Sequence, residues 1–271
     1  MRVRWLAAAA LVLATSAAAE GLPPGLGSGE PAEVRQVIDG ETLRLAHGAE
    51  VRLAAILGPY AAPPRPGQRE RPDRGIDDLR AAAHRSLAAL IEGQRVTVHV
   101  VGPAPDRHGR QVAHLAGRNG EWVQAALVSQ GLSRVRTTAD SSTGADTLLR
   151  LEAAAREARL GLWRHEAFRV RSPGELGRWI ETFQIVEGTV IPLTSRPGGR
   201  FALEQGTDRL ILTVSAAARA ELRAAGFNPD AVRGMPVRVR VRGWLRWQSG
   251  PVIDVTHAAQ IERLDPRQTG N

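Results

Sequence analysis

Short β-like runs punctuated by turn signals, and interrupted once by a helical pattern, most constrain what this chain can fold into. Val34 to Ile38, Thr42 to Ala46 and Glu50 to Ile56 read as three strands, with turn signals at Asp39-Gly40 and His47-Gly48. From Ile76 to Ile91 the apolar residues Leu79, Ala83, Leu87, Leu90 and Ile91 recur at helical spacing, and Gly93 stops the pattern. Arg95 to Val101 and Gln111 to Ala116 read as two further strands, joined by a turn containing Asp106 and Gly109. Two helices follow, Glu121 to Ser129 and Ala145 to Arg159, ended by Gly131 and Gly161. Past a polar joint near Ser172-Pro173-Gly174 the order returns. Strands are expected at Gln184 to Leu193, Arg200 to Gln205 and Arg209 to Ser215, a helix at Ala216 to Ala225, and strands at Val237 to Trp247 and Val252 to Val255.

Three strands, a helix and two strands is the order of an OB-type barrel, a five-stranded Greek key that often binds nucleic acid. The expected fold class is therefore β-rich α+β with two five-stranded OB-fold-type barrels, over residues 34–170 and 180–265. Residues 20–33 are rich in Gly and Pro without periodicity and read as a flexible linker. Gly58 to Gly75 carries five prolines and many charges and reads as a long surface loop.

The first nineteen residues have the pattern of an export signal: Arg2 and Arg4, an apolar run from Trp5 to Ala14, then small residues to Ala19. A periplasmic or secreted protein is expected, without stable membrane insertion, because the apolar run is too short to span a bilayer comfortably and no second one follows. With no cysteine, disulfides and thiolate chemistry are excluded, and the seven histidines lack zinc-type spacing. The net charge of +8, to which Arg2 and Arg4 contribute, favours polyanionic partners.

Two motifs carry the chemistry. Val37-Ile-Asp-Gly-Glu-Thr-Leu-Arg-Leu45, with Val51-Arg-Leu53 behind it, and Asp106-Arg-His-Gly-Arg-Gln-Val-Ala113 together resemble the thermonuclease (staphylococcal nuclease-like) family, over about Val34 to Trp163. The resemblance implies an OB-type barrel with extra helices, nucleic acid or a nucleotide as partner, and calcium as the cofactor. It places a metal carboxylate at Glu41, phosphate-binding arginines at Arg52 and Arg110, and a basic residue of the nucleotide pocket at Arg107. Asp39, close to Glu41, is a further candidate metal ligand. The physical logic is that guanidinium matches phosphate oxygens in pairs and that a hard cation with several oxygen ligands stabilises a pentacovalent transition state.

The family's next signature is replaced here by Leu57-Gly58-Pro59-Tyr60. Leu57 stands where a second metal carboxylate belongs, and Tyr60 where a glutamate would assist water. A phenol titrating near ~10 is a poor base at neutral pH, and losing a positioned base removes ~10² to 10⁴ in rate. The aromatic residues that flank the base in the family fall at Arg136 to Ala139 and are missing too. A relocated carboxylate would have to come from Asp39, Glu70, Asp73, Asp77 or Asp78, of which Asp77 and Asp78 suit the start of a helix equally well.

In the second half, Val237 to Trp247 alternates, with Arg238, Arg240, Arg242 and Trp244 sharing one strand face. Charge beside an aromatic surface is what single-stranded nucleic acid uses, and an arginine-solubilised barrel exterior has the same pattern. The sequence thus supports an exported nucleic-acid- or phosphate-binding protein whose phosphodiester hydrolysis is weak or lost. It leaves open an active calcium-dependent nuclease and a non-catalytic envelope scaffold.

Cleavage after Ala19 predicts a mature chain beginning at Glu20, which intact-mass measurement of the exported protein checks. A membrane-bound form that retains Met1 would overturn the export reading.

Overall fold

A computed structural model describes residues 20–60, 73–193, 200–228, 232 and 237–264. Residues 1–19, where an export signal is expected, Glu70 and most of the proline-rich loop lie outside the described residues. The first barrel is closed by β1 (Glu30–Val37), β2 (Thr42–Leu45), β3 (Glu50–Leu53), β5 (Arg95–Val100) and β6 (Gln111–Ala116), in the order β1-β2-β3-β6-β5. Only β3 and β6 run parallel. Their apolar faces fill one core with Val34, Leu43, Leu53, Val98 and Leu115.

Helix α1 (Arg74–Ile91) connects β3 to β5 through this core by way of Ala83, Leu87 and Ile91. Asp73 caps it by accepting the Gly75 and Ile76 amides, and Asp77 lies in its first turn where the helix dipole favours an acid. Both acids are thus structural, and Asp77 also pairs with Arg80. Gly40 is required by packing, since a Cβ there would come within 2.6 Å of the Ala83 Cβ. This close approach presses the β1–β2 turn, and Glu41 with it, against α1. Helices α2 (Val123–Ser129) and α3 (Ala145–Glu157) pack on the same core.

The second barrel repeats the topology. β8 (Thr182–Pro192), β9 (Phe201–Gln205), β10 (Asp208–Val214), β12 (Pro251–Val255) and β11 (Arg238–Trp247) close a ring, with β10 and β12 as its parallel pair. α4 (Ala216–Ala224) occupies the place of α1, capped by the Ser215 hydroxyl. A sixth strand, β13 (Ile261–Arg263), pairs with the first half of β11.

Two features differ from expectation. Residues 20–33 are no linker: β1 begins at Glu30 and pairs Glu30 to Glu33 with β5. Before it, the Glu20 carbonyl accepts the Trp122 amide at 2.7 Å and Leu22 packs against the core. Backbone pairing of this kind leaves no side-chain periodicity to read. The expected joint near Ser172 is a string of 3-10 turns from Gly161 to Trp179, tied to β8 through the Arg171 amide and the Ile185 carbonyl.

The barrels are welded by an apolar cluster and a buried ion pair. Leu57, Ile76, Ala155, Leu162, Trp163 and Phe168 of the first half pack with Phe183 and Ile185 of β8. Beside them, Glu152 of α3 accepts the Val135 amide at 2.7 Å and faces the Arg242 guanidinium at 2.9 Å. Arg242 also donates to the Val135 carbonyl and to Glu262. Burial opposes ionisation of Arg242, yet Glu152 and Glu262 outweigh it and raise its pKa. A buried charge of this kind is costly once its partner is gone.

Glu152→Gln should therefore destabilise the chain by about 3 kcal/mol, the low end of the range for breaking a buried pair from one side. Glu152→Gln combined with Arg242→Met should cost clearly less than the sum of the single changes. Denaturant melts of the three variants check this, and strict additivity would mean that the pair is not coupled.

Candidate nucleic-acid interface

The β1–β2 turn builds the centre of the site. Asp39 Oδ1 accepts the Glu41 amide at 2.8 Å, an Asx turn that lifts Glu41 onto the rim of the barrel. The Glu41 carboxylate is buried and fully engaged. Oε1 accepts Arg52 Nε and Nη2 at 3.2 and 3.1 Å and the Tyr60 hydroxyl at 3.0 Å, and Oε2 accepts the Gly58 amide at 2.8 Å. Burial first, then the charges of Glu41 and Asp39, raise the Tyr60 pKa well above that of a free phenol. Tyr60 therefore stays protonated and donates to Glu41; it is no base.

Arg52 sits opposite Thr42 across the β2–β3 ladder and also donates to the Ile56 carbonyl. Arg110 enters from the β5–β6 turn, where Gly109 takes a left-handed φ of 76°. It gives Nε and Nη2 to Asp106 Oδ2 at 2.9 and 2.8 Å and Nη1 to the Thr42 hydroxyl at 3.2 Å. Burial works against ionisation of Asp106, but its bonds from Arg110 and His108 hold the pKa down at about 2. Each arginine is held by its own carboxylate, Arg52 by Glu41 and Arg110 by Asp106. Arg107 is exposed on the turn, donating to His108.

The residue missed in the sequence is Arg136. It follows β7 (Arg134–Val135), which pairs with β4 (Ile56–Leu57), and its amide extends that ladder to the Ala55 carbonyl. Arg136 and Arg52 line one cavity of about 340 Å³ with the Val101 to Asp106 loop and Ser141. No hydrogen bond or ion pair joins the Arg136 guanidinium to a carboxylate among the described residues. Burial, and then the neighbouring charge of Arg52, lower its pKa; Glu41 pulls the other way and Arg107 adds to the lowering. Its position, where flanking aromatics were expected, was the only signal available.

Leu57 is 5% exposed and belongs to the apolar cluster beneath the second barrel. Leu57 thus helps to seat the second barrel. Among the described residues no group of three or more His, Asp or Glu could hold a metal ion. Glu41 and Asp39 remain as candidates, but the Glu41 oxygens carry four hydrogen bonds and Asp39 Oδ1 a fifth. Calcium wants six to eight oxygens. The residues present do not fit that ion.

The other expected interface is corrected by the fold. Arg242 is 1% exposed and spans the domain junction, while Arg240 and Arg238 pair with Glu187, and Arg240 also with Glu262. The alternation of β11 is real, but this face turns toward α3 and β13 and its charges are neutralised there. Trp244 is 48% exposed and edge-on to Phe183, and Arg238 keeps a partly exposed side chain beside Glu187.

The site is thus the rim of a closed OB-type barrel, with Arg110 bonded to Thr42, Arg52 bonded to Glu41, and Arg136 sharing a cavity with Arg52. Residues 51–165, which hold β5, β6, the helices α1 to α3 and all of β3 but Glu50, match the family model described as staphylococcal nuclease homologue. The match takes in Arg52, Leu57, Tyr60, Arg110 and Arg136, and Glu41 lies before it. Enzymes of this family typically depend on calcium. No curated protein matches the chain.

Calcium at millimolar concentration should leave the melting temperature unchanged within about 1 °C, since an ion that binds the native state at or below its Kd adds little stability. Leu57→Asp should destabilise by at least ~3 kcal/mol with or without calcium, because it puts an acid into the apolar junction. Thermal melts with calcium and with chelator check both, and a large calcium shift in the unmodified protein would overturn the mismatch.

Proposed function

We propose that this exported chain binds nucleic acid or nucleotide phosphate at the arginine cluster of the first barrel, and that phosphodiester hydrolysis is weak or lost. The observation that carries the reading is the cavity shared by Arg52 and Arg136. Two guanidiniums crowded at one partly buried site repel each other, as the lowered pKa of Arg136 reflects. An anion placed there relieves the repulsion and the cost of desolvation together. Arg110, held by Asp106 beside Thr42, supplies further donors at the edge of the cluster.

Hydrolysis is disfavoured on chemical grounds. The carboxylate that would help hold a cation is committed to Arg52, Tyr60 and Gly58. The group in place of the general base is a protonated phenol. What remains is electrostatic attraction to phosphate, a binding function that the staphylococcal nuclease-like fold of residues 51–165 also supports.

The test is fluorescence anisotropy with a labelled single-stranded oligonucleotide, together with a cleavage assay in calcium, magnesium or chelator. Arg136→Ala and Arg110→Ala should each weaken binding by ~1.5 to 3 kcal/mol, the range for hydrogen bonds to charged groups, with the fold intact. Chelator should change neither binding nor the slow background of cleavage. Robust metal-dependent turnover that vanishes in Glu41→Ala would make the chain an active nuclease. Unchanged binding in the double arginine variant would leave a scaffold as the better reading.

A further inference from the structure

A second cleft, of about 240 Å³, opens between the two barrels beside Tyr60. Tyr60, Arg134, Phe168, Trp179, Phe183 and Trp244 form most of its wall. Arg134 is buried between the Phe168 and Phe183 rings, its guanidinium carbon 4.9 and 5.2 Å from their centroids, and gives Nη1 to the Phe183 carbonyl at 2.8 Å.

The polar inventory of this cleft is one-sided. Gln184, at its edge, accepts from Arg171 Nε and donates to the Thr182 hydroxyl, which in turn donates to the Trp179 carbonyl. Those groups are spent. Arg134 Nε and Trp179 Nε1 are buried N–H donors without an acceptor. Such donors are costly to leave unpaired, and they select a ligand that brings acceptors. A sugar presents hydroxyl hydrogens that also need acceptors, and the cleft wall offers only the exposed Glu181 for them. Of peptide side chains, a Phe ring brings no acceptor and a Trp ring only a donor. A nucleobase has both a flat apolar face and carbonyl oxygens at its edge.

Position agrees with chemistry. Tyr60 lines the cleft while its hydroxyl reaches Glu41 in the phosphate site. Arg134 at the cleft and Arg136 at the arginine cavity are alternate residues of one extended segment, spaced by about 7 Å. One nucleic-acid strand can reach both.

We propose that the cleft is a base-binding subsite for single-stranded nucleic acid. The base stacks on the half-exposed Trp244 ring, and its carbonyl oxygen accepts from Trp179 Nε1 and Arg134 Nε. Duplex is excluded because its bases are stacked and paired. The inference rests on the phosphate-binding reading and adds a preference for strands with bases exposed.

The experiment compares an octathymidylate with an abasic octamer of identical phosphate backbone, each labelled and titrated with the full chain. The thymidine strand should bind about tenfold more tightly, within the range for one base–aromatic stack. Trp244→Ala should remove that difference and leave the abasic affinity unchanged. Trp179→Phe keeps the ring and deletes only the N–H, and should reduce thymidine binding several-fold with no effect on the abasic strand. Arg136→Ala should weaken both strands alike. Circular-dichroism melts establish that each variant is folded, and Trp244, being half exposed, tolerates truncation. Equal affinities in the unmodified protein, or equal losses for both strands in Trp244→Ala, overturn the subsite and leave phosphate binding standing. Failure of both strands to bind overturns the phosphate reading and the subsite with it. Trp244-dependent binding of maltohexaose in place of either strand would assign the cleft to glycans and overturn the proposal.

Discussion

The contact between Glu152 and Arg242 organises more of this molecule than any other single interaction. Glu152 lies on α3 with its carboxylate wholly buried, Arg242 lies on β11 of the other barrel, and both hold the backbone of Val135 between them. Val135 belongs to the short β7 strand, which pairs with Ile56 and Leu57. Through these bonds one ion pair fixes how the barrels meet and where Arg134, Arg136, Leu57 and Tyr60 stand. Isolated from water, each charge depends on the other, so the junction behaves as a rigid unit and not as a hinge.

Docking of the second barrel fixes the surroundings of Leu57 in the first. Leu57 packs under Phe183 and Ile185 of β8, where a carboxylate would be stripped of water with no cation to compensate. The Glu41 carboxylate points inward to Arg52, Tyr60 and Gly58. The rim presents guanidinium groups, and among the described residues no cluster of oxygen ligands accompanies them. Phosphate attraction needs only the former; water activation needs the latter.

The same docking creates surfaces that neither barrel has alone. Arg242 of β11 disappears into the junction and Arg240 is nearly covered, and the charges of Arg238, Arg240 and Arg242 are paired with Glu152, Glu187 and Glu262. Trp244, on the same face but near the far end of the strand, stays at the mouth of the aromatic cleft. The strip that looked like an interface is neutralised by carboxylates and sealed at Arg242, while the aromatic ring beside it stays half exposed.

Much of the fold was legible in the chain. Turn signals at Asp39-Gly40 and Gly109, period-two alternation in the strands and the apolar stripe of α1 are local patterns, and local sterics enforce them. The arginines at 52 and 110 were legible for the same reason, since short motifs place them on adjoining strands. The start of β1 at Glu30 was not, because its pairing uses backbone groups that every residue carries. Glu152 left only a trace, an acid on the buried stripe of α3 between Leu148 and Ala155. Which side chains end up paired, neutralised or accessible is decided by residues far away in sequence. Arg242 and Trp244 are two positions apart on one strand, yet one is sealed and the other half exposed, because only the packing of one barrel on the other determines where water is excluded.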